Sequence, residues 1–177
     1  MRPVGGGANV NVADQVTLSR IILTPVVVAL WLAHAPKWHW IGLVVFIIAG
    51  MTDFVDGRLA RHASKTTHFG AYMDPLADKI LVLGSGLALI ASNRLSVWIV
   101  LILLLREFAI TGLRSILPAG TTMGASAVAK WKTTGQLFAL GASAVLTGMV
   151  PIVFWAVALT LTIWSGIEYF YRYWPRA

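Results

Sequence analysis

Six long apolar stretches constrain the fold of this 177-residue chain more than any other feature. They cover residues 16–33, 40–56, 72–91, 95–117, 133–149 and 152–170. A bilayer core is about 30 Å thick, and a helix of about 20 mainly apolar residues crosses it. None of the stretches alternates between apolar and polar residues, as a half-buried strand would. The pattern therefore predicts an all-α integral membrane protein with six transmembrane helices.

The composition agrees with that fold class and excludes several functions. Hydrophobic residues make up 58% of the chain and charged residues 12%, against about 25% charged in a typical soluble domain. The absence of cysteine excludes a disulfide framework, a thiolate nucleophile and a cysteine-based zinc site. In so apolar a chain, the net charge of +7 indicates contact with anionic lipid headgroups, not with nucleic acid. We expect a flexible arm over residues 1–14 and one transmembrane domain over residues 15–177.

The distribution of lysine and arginine indicates the orientation, because short cytoplasmic loops carry an excess of these residues. With the N-terminus in the cytoplasm, the inner segments hold Arg2, Arg58, Arg61, Lys65, Lys130, Lys132, Arg172 and Arg176. The outer segments hold Lys37 and Arg94. We therefore expect a multi-pass protein of the cell (inner) membrane with both termini in the cytoplasm. A cleaved signal peptide is the alternative for the first stretch, but Arg20 lies inside it.

Four of the five aspartates lie close together in the sequence. Asp53 and Asp56 are three residues apart at the inner end of the second stretch, and Asp74 and Asp78 are four apart at the inner start of the third. Both spacings put the members of a pair on one helix face. Because the connecting loop is short, we expect the two helices to be neighbours, with all four carboxylates at a similar depth near the cytoplasm.

Such a carboxylate cluster needs positive charge, because an uncompensated buried ion costs several kcal/mol. Oxygen ligands without cysteine or a nearby histidine suit Mg²⁺ or Mn²⁺. Two such ions in one carboxylate cage would fit phosphoryl-transfer chemistry. The alternative is that each pair is neutralised by neighbouring lysine and arginine side chains. A third interpretation is a cation transporter, although transporter sites usually lie near the bilayer midplane and these carboxylates lie near one face.

Two further groups of residues are candidates for binding. Arg106 and Arg114 are eight apart, close to two helical turns, so they share a face, and arginine suits bidentate phosphate contact. With Lys130 and Lys132 they form a predicted anion pocket. The alternatives are an ion pair of the arginines with Glu107 or an aspartate, and a headgroup-anchoring role for the lysines. Elsewhere, the small residues Gly57 and Ala60 would admit a flat group near the backbone or, alternatively, close helix packing.

The aspartates belong to a longer pattern that resembles the signature of the CDP-alcohol phosphotransferases. That pattern is Asp53-x2-Asp56-Gly57-x2-Ala60-Arg61-x8-Gly70-x3-Asp74-x3-Asp78. Further similarity to the phosphatidylglycerolphosphate synthase branch lies in Thr17-Leu18-Ser19-Arg20, Asp74-Pro75-Leu76-Ala77-Asp78-Lys79, Arg106-Glu107-Phe108 with Thr111-Gly112-x-Arg114, and Lys130-x-Lys132-Thr133-x-x-Gln136. Asp14 departs from the family, whose members commonly carry Asn there.

The resemblance implies a fold and an activity. Members are membrane enzymes of about six helices, often homodimers, that use a divalent metal to move a substituted phosphate from a CDP-alcohol to a hydroxyl and release CMP. In this branch the donor would be CDP-diacylglycerol and the acceptor glycerol 3-phosphate, a step of phospholipid biosynthesis. Inositol phosphate is an alternative acceptor, and so is phosphatidylglycerol, as in a cardiolipin synthase.

The resemblance also implies residue roles. Asp53, Asp56 and Asp74 would bind metal, and Asp78 would complete the cage and act as general base on the acceptor hydroxyl. The nucleotide pocket would be formed by Asp56, Gly57, Ala60, Arg61 and Gly70. Thr17 and Arg20 are candidate phosphate contacts.

Overall fold

A computed structural model of the chain describes residues 12–59, 68–117 and 127–174, without the side chains of 12–16, 52–59, 68–75, 78, 127 and 130. All regular secondary structure in these ranges is helical. The six helices are α1 (Val12–Leu32), α2 (Pro36–Leu59), α3 (His68–Ala91), α4 (Val97–Ile116), α5 (Ala127–Val145) and α6 (Met149–Tyr173). The predicted all-α class and the number of helices are confirmed over the part of the chain that the structure describes.

Each helix overlaps one predicted apolar stretch, but several extend beyond it. Helix α1 begins at Val12 and so includes residues 12–14 of the predicted arm. Helix α5 begins at Ala127, well before the apolar run that starts at residue 133. The helix therefore includes polar residues such as Lys132, whose charge is paired with a side chain on another helix, described below.

Tight turns connect several of the helices. The turn between α3 and α4 contains Asn93 with a φ of 56°, and Gly148 precedes α6 with a φ of 79°. Glycine, and among other residues asparagine, adopts this left-handed region most readily. The turn after α3 is fixed by the N–H of Arg94, which donates to the carbonyl of Leu89 at 2.8 Å. Such short connections return the chain directly and make consecutive helices antiparallel.

The helices pack as two groups that α5 joins. Helix α1 packs against α2 and α3, and α6 packs against α4 and α5. Helix α5 also contacts α2 and α3, and α3 contacts α4. Helix α1 therefore packs on both helices that carry the aspartates, while α3, α4, α5 and α6 are arranged to enclose a common space.

A buried tryptophan in the last turn of α1 packs against α2. The ring of Trp31 is fully buried, and its centroid lies 5.1 Å from that of Phe46. A Cβ at Gly42 would lie 2.6 Å from two atoms of the Trp31 ring. Glycine is therefore needed there, because only the absence of a side chain lets α2 approach the ring so closely.

One described helix, Met149–Tyr173, is both long enough and apolar enough along its length to cross a membrane. Shorter apolar stretches run over Thr17–Leu32, Pro36–Met51 and Lys79–Ala91. Helix α4 has sufficient length for a crossing, but it carries Arg106, Glu107 and Arg114. The charged residues that interrupt the apolar pattern are those that line the cavity described next.

Candidate active site

The four aspartates of the sequence cluster lie on α2 and α3, and both helices are continuous through the aspartate positions. Asp53, Asp56 and Gly57 lie in the last two turns of α2, and Asp74 and Asp78 lie in the first half of α3. Because the backbone is helical there, the spacings of three and four residues put each pair on one face of its helix. The side chains of the four aspartates are outside the described atoms, as are Ala60 and Arg61 altogether; Gly70 lies in the first turn of α3.

The four carboxylates on these two consecutive helices supply only oxygen ligands, which suit a hard divalent cation. Among the side chains that the structure describes, no three His, Asp or Glu groups are gathered in a way that could hold a metal ion.

A cavity of about 390 Å³ lies between α3, α4, α5 and α6. Its polar lining consists of Lys79, Arg106, Glu107, Thr111, Arg114, Lys132, Thr133, Gln136 and Tyr169. We call this space the cationic cavity, because the described lining contains four basic side chains and a single acidic one. It brings together Arg106, Arg114 and Lys132, three of the four residues of the predicted anion pocket. The side chain of the fourth, Lys130, is outside the described atoms.

Glu107 organises the charges of the cationic cavity. Its Oε1 accepts a hydrogen bond from Arg106 Nη1 at 2.8 Å and another from Lys132 Nζ at 2.6 Å. The side chains of Arg106 and Lys132 are only 11% and 8% exposed, and that of Glu107 is 22% exposed. Lys132 is thus a buried, ion-paired residue and not a headgroup anchor. Arg106 forms the ion pair with Glu107 that was one alternative in the sequence analysis, and it also lines the cavity.

Arg106 is held by α6 as well. Its Nη2 donates to Ser165 Oγ at 3.2 Å, and its guanidinium carbon lies 5.8 Å from the centroid of the Tyr169 ring. The Nε–H of Arg106 is buried and has no hydrogen-bond acceptor among the described residues. A buried donor without an acceptor costs about 1–3 kcal/mol. This N–H is therefore an unsatisfied buried donor on a residue that lines the cavity.

Polar contacts also connect α5 with α6. Gln136 Nε2 donates to Thr162 Oγ1 at 2.9 Å, and both side chains are buried. The hydroxyl of Thr162 in turn donates to the carbonyl of Ala158 at 2.6 Å. Because these hydrogen bonds are satisfied within the protein, they fix the wall of the cavity between α5 and α6.

The cationic cavity adjoins the helix that carries the second aspartate pair. Lys79 Nζ donates to Thr111 Oγ1 at 3.0 Å, and Thr111 Oγ1 donates to the carbonyl of Glu107 at 2.8 Å. Lys79 directly follows Asp78, and consecutive Cα atoms are about 3.8 Å apart. The backbone of Asp78 therefore lies beside the wall of the cavity.

The two candidates on α1 lie elsewhere. Thr17 and Arg20 are each only 1% exposed, and neither is among the residues that line the cationic cavity. Thr24 Oγ1 donates to the carbonyl of Arg20 at 2.9 Å. Helix α1, which carries Thr17 and Arg20, packs on the two helices that carry the aspartates. The two residues therefore belong with the aspartates and not with Arg106 and Arg114.

Sequence reasoning missed several residues of this site. It named Glu107 as a possible partner for arginine and placed Glu107 and Lys79 in motifs, but it assigned neither residue to the anion pocket. An acidic residue inside an apolar stretch was the available signal for Glu107. Ser165 and Tyr169 gave no signal, because α6 carries no motif and its contact with α4 is a result of tertiary packing.

Comparison with known proteins gives a consistent result. The family model described as CDP-alcohol phosphatidyltransferase matches residues 10–164. A CDP-diacylglycerol–glycerol-3-phosphate 3-phosphatidyltransferase of Bacillus subtilis is 36% identical over 187 aligned residues, covering 93% of this chain and 95% of that protein. The protein of the same name from Haemophilus influenzae is 36% identical over 169 residues, covering 90% and 91%. That from Rickettsia bellii is 34% identical over 170 residues, covering 90% and 93%.

Proposed function

The chain belongs to the CDP-alcohol phosphatidyltransferase family, and we propose that it transfers the phosphatidyl group of CDP-diacylglycerol to glycerol 3-phosphate. The products are phosphatidylglycerol phosphate and CMP. The single observation that carries the choice of acceptor is the cationic cavity, in which Arg106, Arg114 and Lys132 meet beside the backbone of Asp78. The names of the similar proteins support the same donor and acceptor.

The cationic cavity suits a small phosphorylated acceptor. Its volume of about 390 Å³ lies at the small end of the range of ligand pockets. The free Nε–H of Arg106 supplies a buried donor, and Arg114, which is exposed, supplies a charge that remains accessible to solvent. Lys130 and Lys132 at the start of α5 complete the proposed phosphate site. Glu107 holds Arg106 and Lys132 in place and keeps their charges from repelling each other.

The donor would be held by the aspartate-bearing helices. Asp53, Asp56, Asp74 and Asp78 would hold two Mg²⁺ or Mn²⁺ ions. When bound, such ions neutralise the pyrophosphate of the donor and the charge that develops on departing CMP. The cytidine nucleotide would lie against Asp56 with Gly57, Ala60, Arg61 and Gly70. Thr17 and Arg20 would contact donor phosphate, which the packing of α1 on both α2 and α3 supports.

The chain's own contribution to the reaction is positioning and proton transfer. Asp78 takes the proton of the acceptor hydroxyl, since a carboxylate within hydrogen-bond reach makes that oxygen a better nucleophile. The oxygen forms a bond to the phosphorus that carries diacylglycerol, and the bond from that phosphorus to the CMP oxygen breaks. Arg106 and Arg114 bind the phosphate of the acceptor. This positions the acceptor hydroxyl on the side of α3 that faces the cavity.

We further propose that all six helices cross the cell membrane, with both termini and the opening of the cavity on the cytoplasmic side. Large apolar side chains such as Leu105 and Phe108 on α4 and Trp164 and Ile167 on α6 are exposed. A soluble monomer rarely exposes so much apolar surface, whereas lipid would cover it. The predicted homodimer rests on the family resemblance; chemical cross-linking in native membranes tests it.

An acceptor panel tests the proposed function. The purified full-length chain in detergent micelles is given CDP-diacylglycerol, Mg²⁺ or Mn²⁺, and one acceptor at a time. We expect CMP release with glycerol 3-phosphate and little with inositol phosphate or phosphatidylglycerol. Preference for another acceptor would replace glycerol 3-phosphate in the proposal. Cation flux into vesicles that stops on Asp74→Asn, without any CMP release, would favour a transporter instead.

A further inference from the structure

Helix α6 fixes the relative positions of two polar groups in the cationic cavity. Ser165 accepts a hydrogen bond from Arg106, and Thr162, three residues earlier on α6, accepts one from Gln136. Three residues of an α-helix correspond to about 4.5 Å along its axis. The amide of Gln136 is therefore held nearly one helical turn further from the C-terminal end of α6 than the guanidinium of Arg106.

The surroundings of Gln136 in the cavity are apolar. Helices α3 and α4 are antiparallel, so the residues after Lys79 on α3 and those before Arg106 on α4 lie on the same side of the charged groups. The lining residues there are Val82, Leu83 and Leu103. Among the described lining residues, Gln136 is thus the polar side chain at an otherwise apolar end of the cavity.

The hydrogen bonds of Thr162 determine which end of the Gln136 amide faces it. The Thr162 hydroxyl has a single proton, which it donates to the carbonyl of Ala158 at 2.6 Å. It can therefore only accept from Gln136, so the amide nitrogen Nε2 faces Thr162, at 2.9 Å. In the described part of the chain, this is the hydrogen bond of the Gln136 side chain, and it leaves the carbonyl oxygen Oε1 without a donor.

The proposed acceptor carries a group that fits this arrangement. Glycerol 3-phosphate has a phosphate at one end, a secondary hydroxyl in the middle and a primary hydroxyl at the other end. The lysine and arginine side chains of the cavity are hydrogen-bond donors only, so they recognise a phosphate but cannot accept a proton from a hydroxyl. We infer that Gln136 Oε1 accepts a hydrogen bond from the middle hydroxyl of the acceptor and so selects an acceptor that has one.

This inference rests on the proposed function and adds a specificity-determining residue to it. A middle hydroxyl that donates to Gln136 keeps its proton, so it does not compete for the carboxylate of Asp78. The primary hydroxyl is then the one that gives up its proton and forms the bond to phosphorus. Gln136 thus determines both the choice of acceptor and which of its two hydroxyl oxygens reacts.

The test compares two acceptors that differ by a single oxygen atom. The compound 3-hydroxypropyl phosphate has the phosphate and the primary hydroxyl of glycerol 3-phosphate but lacks the middle hydroxyl. Steady-state kinetics of CMP release by the full-length chain in detergent give kcat/KM for each acceptor. Thermal unfolding in the presence of each acceptor gives a measure of binding that needs no turnover. The variant is Gln136→Met, which keeps the length of the side chain and removes the amide.

We expect the wild type to prefer glycerol 3-phosphate by about tenfold in kcat/KM, the ratio that one hydrogen bond to a buried neutral group supplies. Gln136→Met should use the two acceptors equally well. Arg114→Ala should weaken the use of both acceptors and keep the preference, because both carry the same phosphate.

A second pair of variants tests the orientation of Gln136 and serves if Gln136→Met does not fold. Thr162→Val removes the group that holds Nε2, so the amide can turn and the preference for glycerol 3-phosphate should shrink. Thr160→Val is the matched control. Thr160 is exposed on the same helix, and its hydroxyl likewise donates to the carbonyl four residues earlier, at 2.8 Å. This variant should keep the preference of the wild type.

The outcomes separate this inference from the proposed function. Turnover with glycerol 3-phosphate, but equal kcat/KM for both acceptors in the wild type, would overturn the role of Gln136 and leave the function intact. A Gln136→Met variant that keeps the full preference, or loses activity toward both acceptors by the same factor, would do the same. If no turnover is seen, a thermal midpoint that glycerol 3-phosphate raises more than 3-hydroxypropyl phosphate in the wild type, but not in Gln136→Met, would support the hydrogen bond and overturn the function.

Discussion

Replacing Glu107 by glutamine removes the negative charge on which two buried cations depend. Glu107 Oε1 lies 2.8 Å from Arg106 Nη1 and 2.6 Å from Lys132 Nζ. At an effective dielectric constant of about 20, each pair has a Coulomb energy of about 6 kcal/mol. Desolvation and the repulsion between the two cations offset most of that energy. Removing one member of a buried pair costs about 3–5 kcal/mol, because the remaining charges stay buried.

The expected result of Glu107→Gln is therefore a large loss of stability that an anion partly restores. A loss of 3 kcal/mol lowers the thermal midpoint by roughly 6–12 °C in a chain of this size. Glycerol 3-phosphate should raise the midpoint of the variant more than that of the wild type, because a phosphate can take the place of the missing carboxylate between Arg106 and Lys132. The assay is thermal unfolding of the full-length chain in detergent, with and without glycerol 3-phosphate.

Glu168→Gln is the matched control for this prediction. Glu168 Oε1 accepts a hydrogen bond from Arg172 Nη2 at 2.8 Å, the same distance as in the Arg106 pair. The side chain of Arg172 is 58% exposed, however, and exposed pairs contribute about 0–1 kcal/mol. Equal midpoints for the two variants would refute the reasoning from burial. Equal effects of glycerol 3-phosphate on Glu107→Gln and the wild type would refute the phosphate site.

Three further predictions concern the proposed base, the acceptor site and the α1–α2 contact. Asp78→Asn should lower the rate of CMP release by about 10²–10⁴-fold, because it removes the base. CDP-diacylglycerol should still bind to this variant. Near wild-type turnover would exclude Asp78 as the base. Arg114→Ala should raise the KM for glycerol 3-phosphate about tenfold or more, because a charged contact is lost. Steady-state kinetics measure this KM, and an equal rise in the KM for CDP-diacylglycerol would count against the acceptor site. Gly42→Ala should destabilise the chain by about 1–3 kcal/mol because its methyl group would overlap the Trp31 ring. Gly112→Ala is the control, because its methyl group would meet no atom within 4 Å. It should show no such loss in thermal unfolding, and equal unfolding midpoints for the two variants would contradict the packing.

The helices could be predicted from the sequence, because their apolar runs are long and lack alternation. Their ends could not, as α5 shows. The apolar run begins at residue 133, yet the helix begins at Ala127. Lys132 looked like a polar boundary in the sequence, whereas in the structure its charge is satisfied by Glu107 on another helix. A residue's hydropathy does not show whether a distant partner will neutralise it.

The cationic cavity was predictable only in part. The eight-residue spacing of Arg106 and Arg114 indicated a shared face, and both residues line the same cavity. The ion pairs of Glu107 and the contacts of Ser165 and Tyr169 depend on where α4 lies relative to α5 and α6. No local pattern encodes that packing. The roles of the aspartates as metal ligands and of Asp78 as base remain predictions of the sequence signature.

The most direct test of the central claim follows the atoms of the acceptor into the lipid. Radiolabelled glycerol 3-phosphate is supplied with CDP-diacylglycerol and Mg²⁺ or Mn²⁺, and label in the extracted lipid is measured together with released CMP. The proposed reaction predicts equal molar amounts of labelled lipid and CMP, both lost on chelation of the metal. CMP release without label in the lipid would mean that the donor is hydrolysed or passed to another acceptor, and would contradict the account.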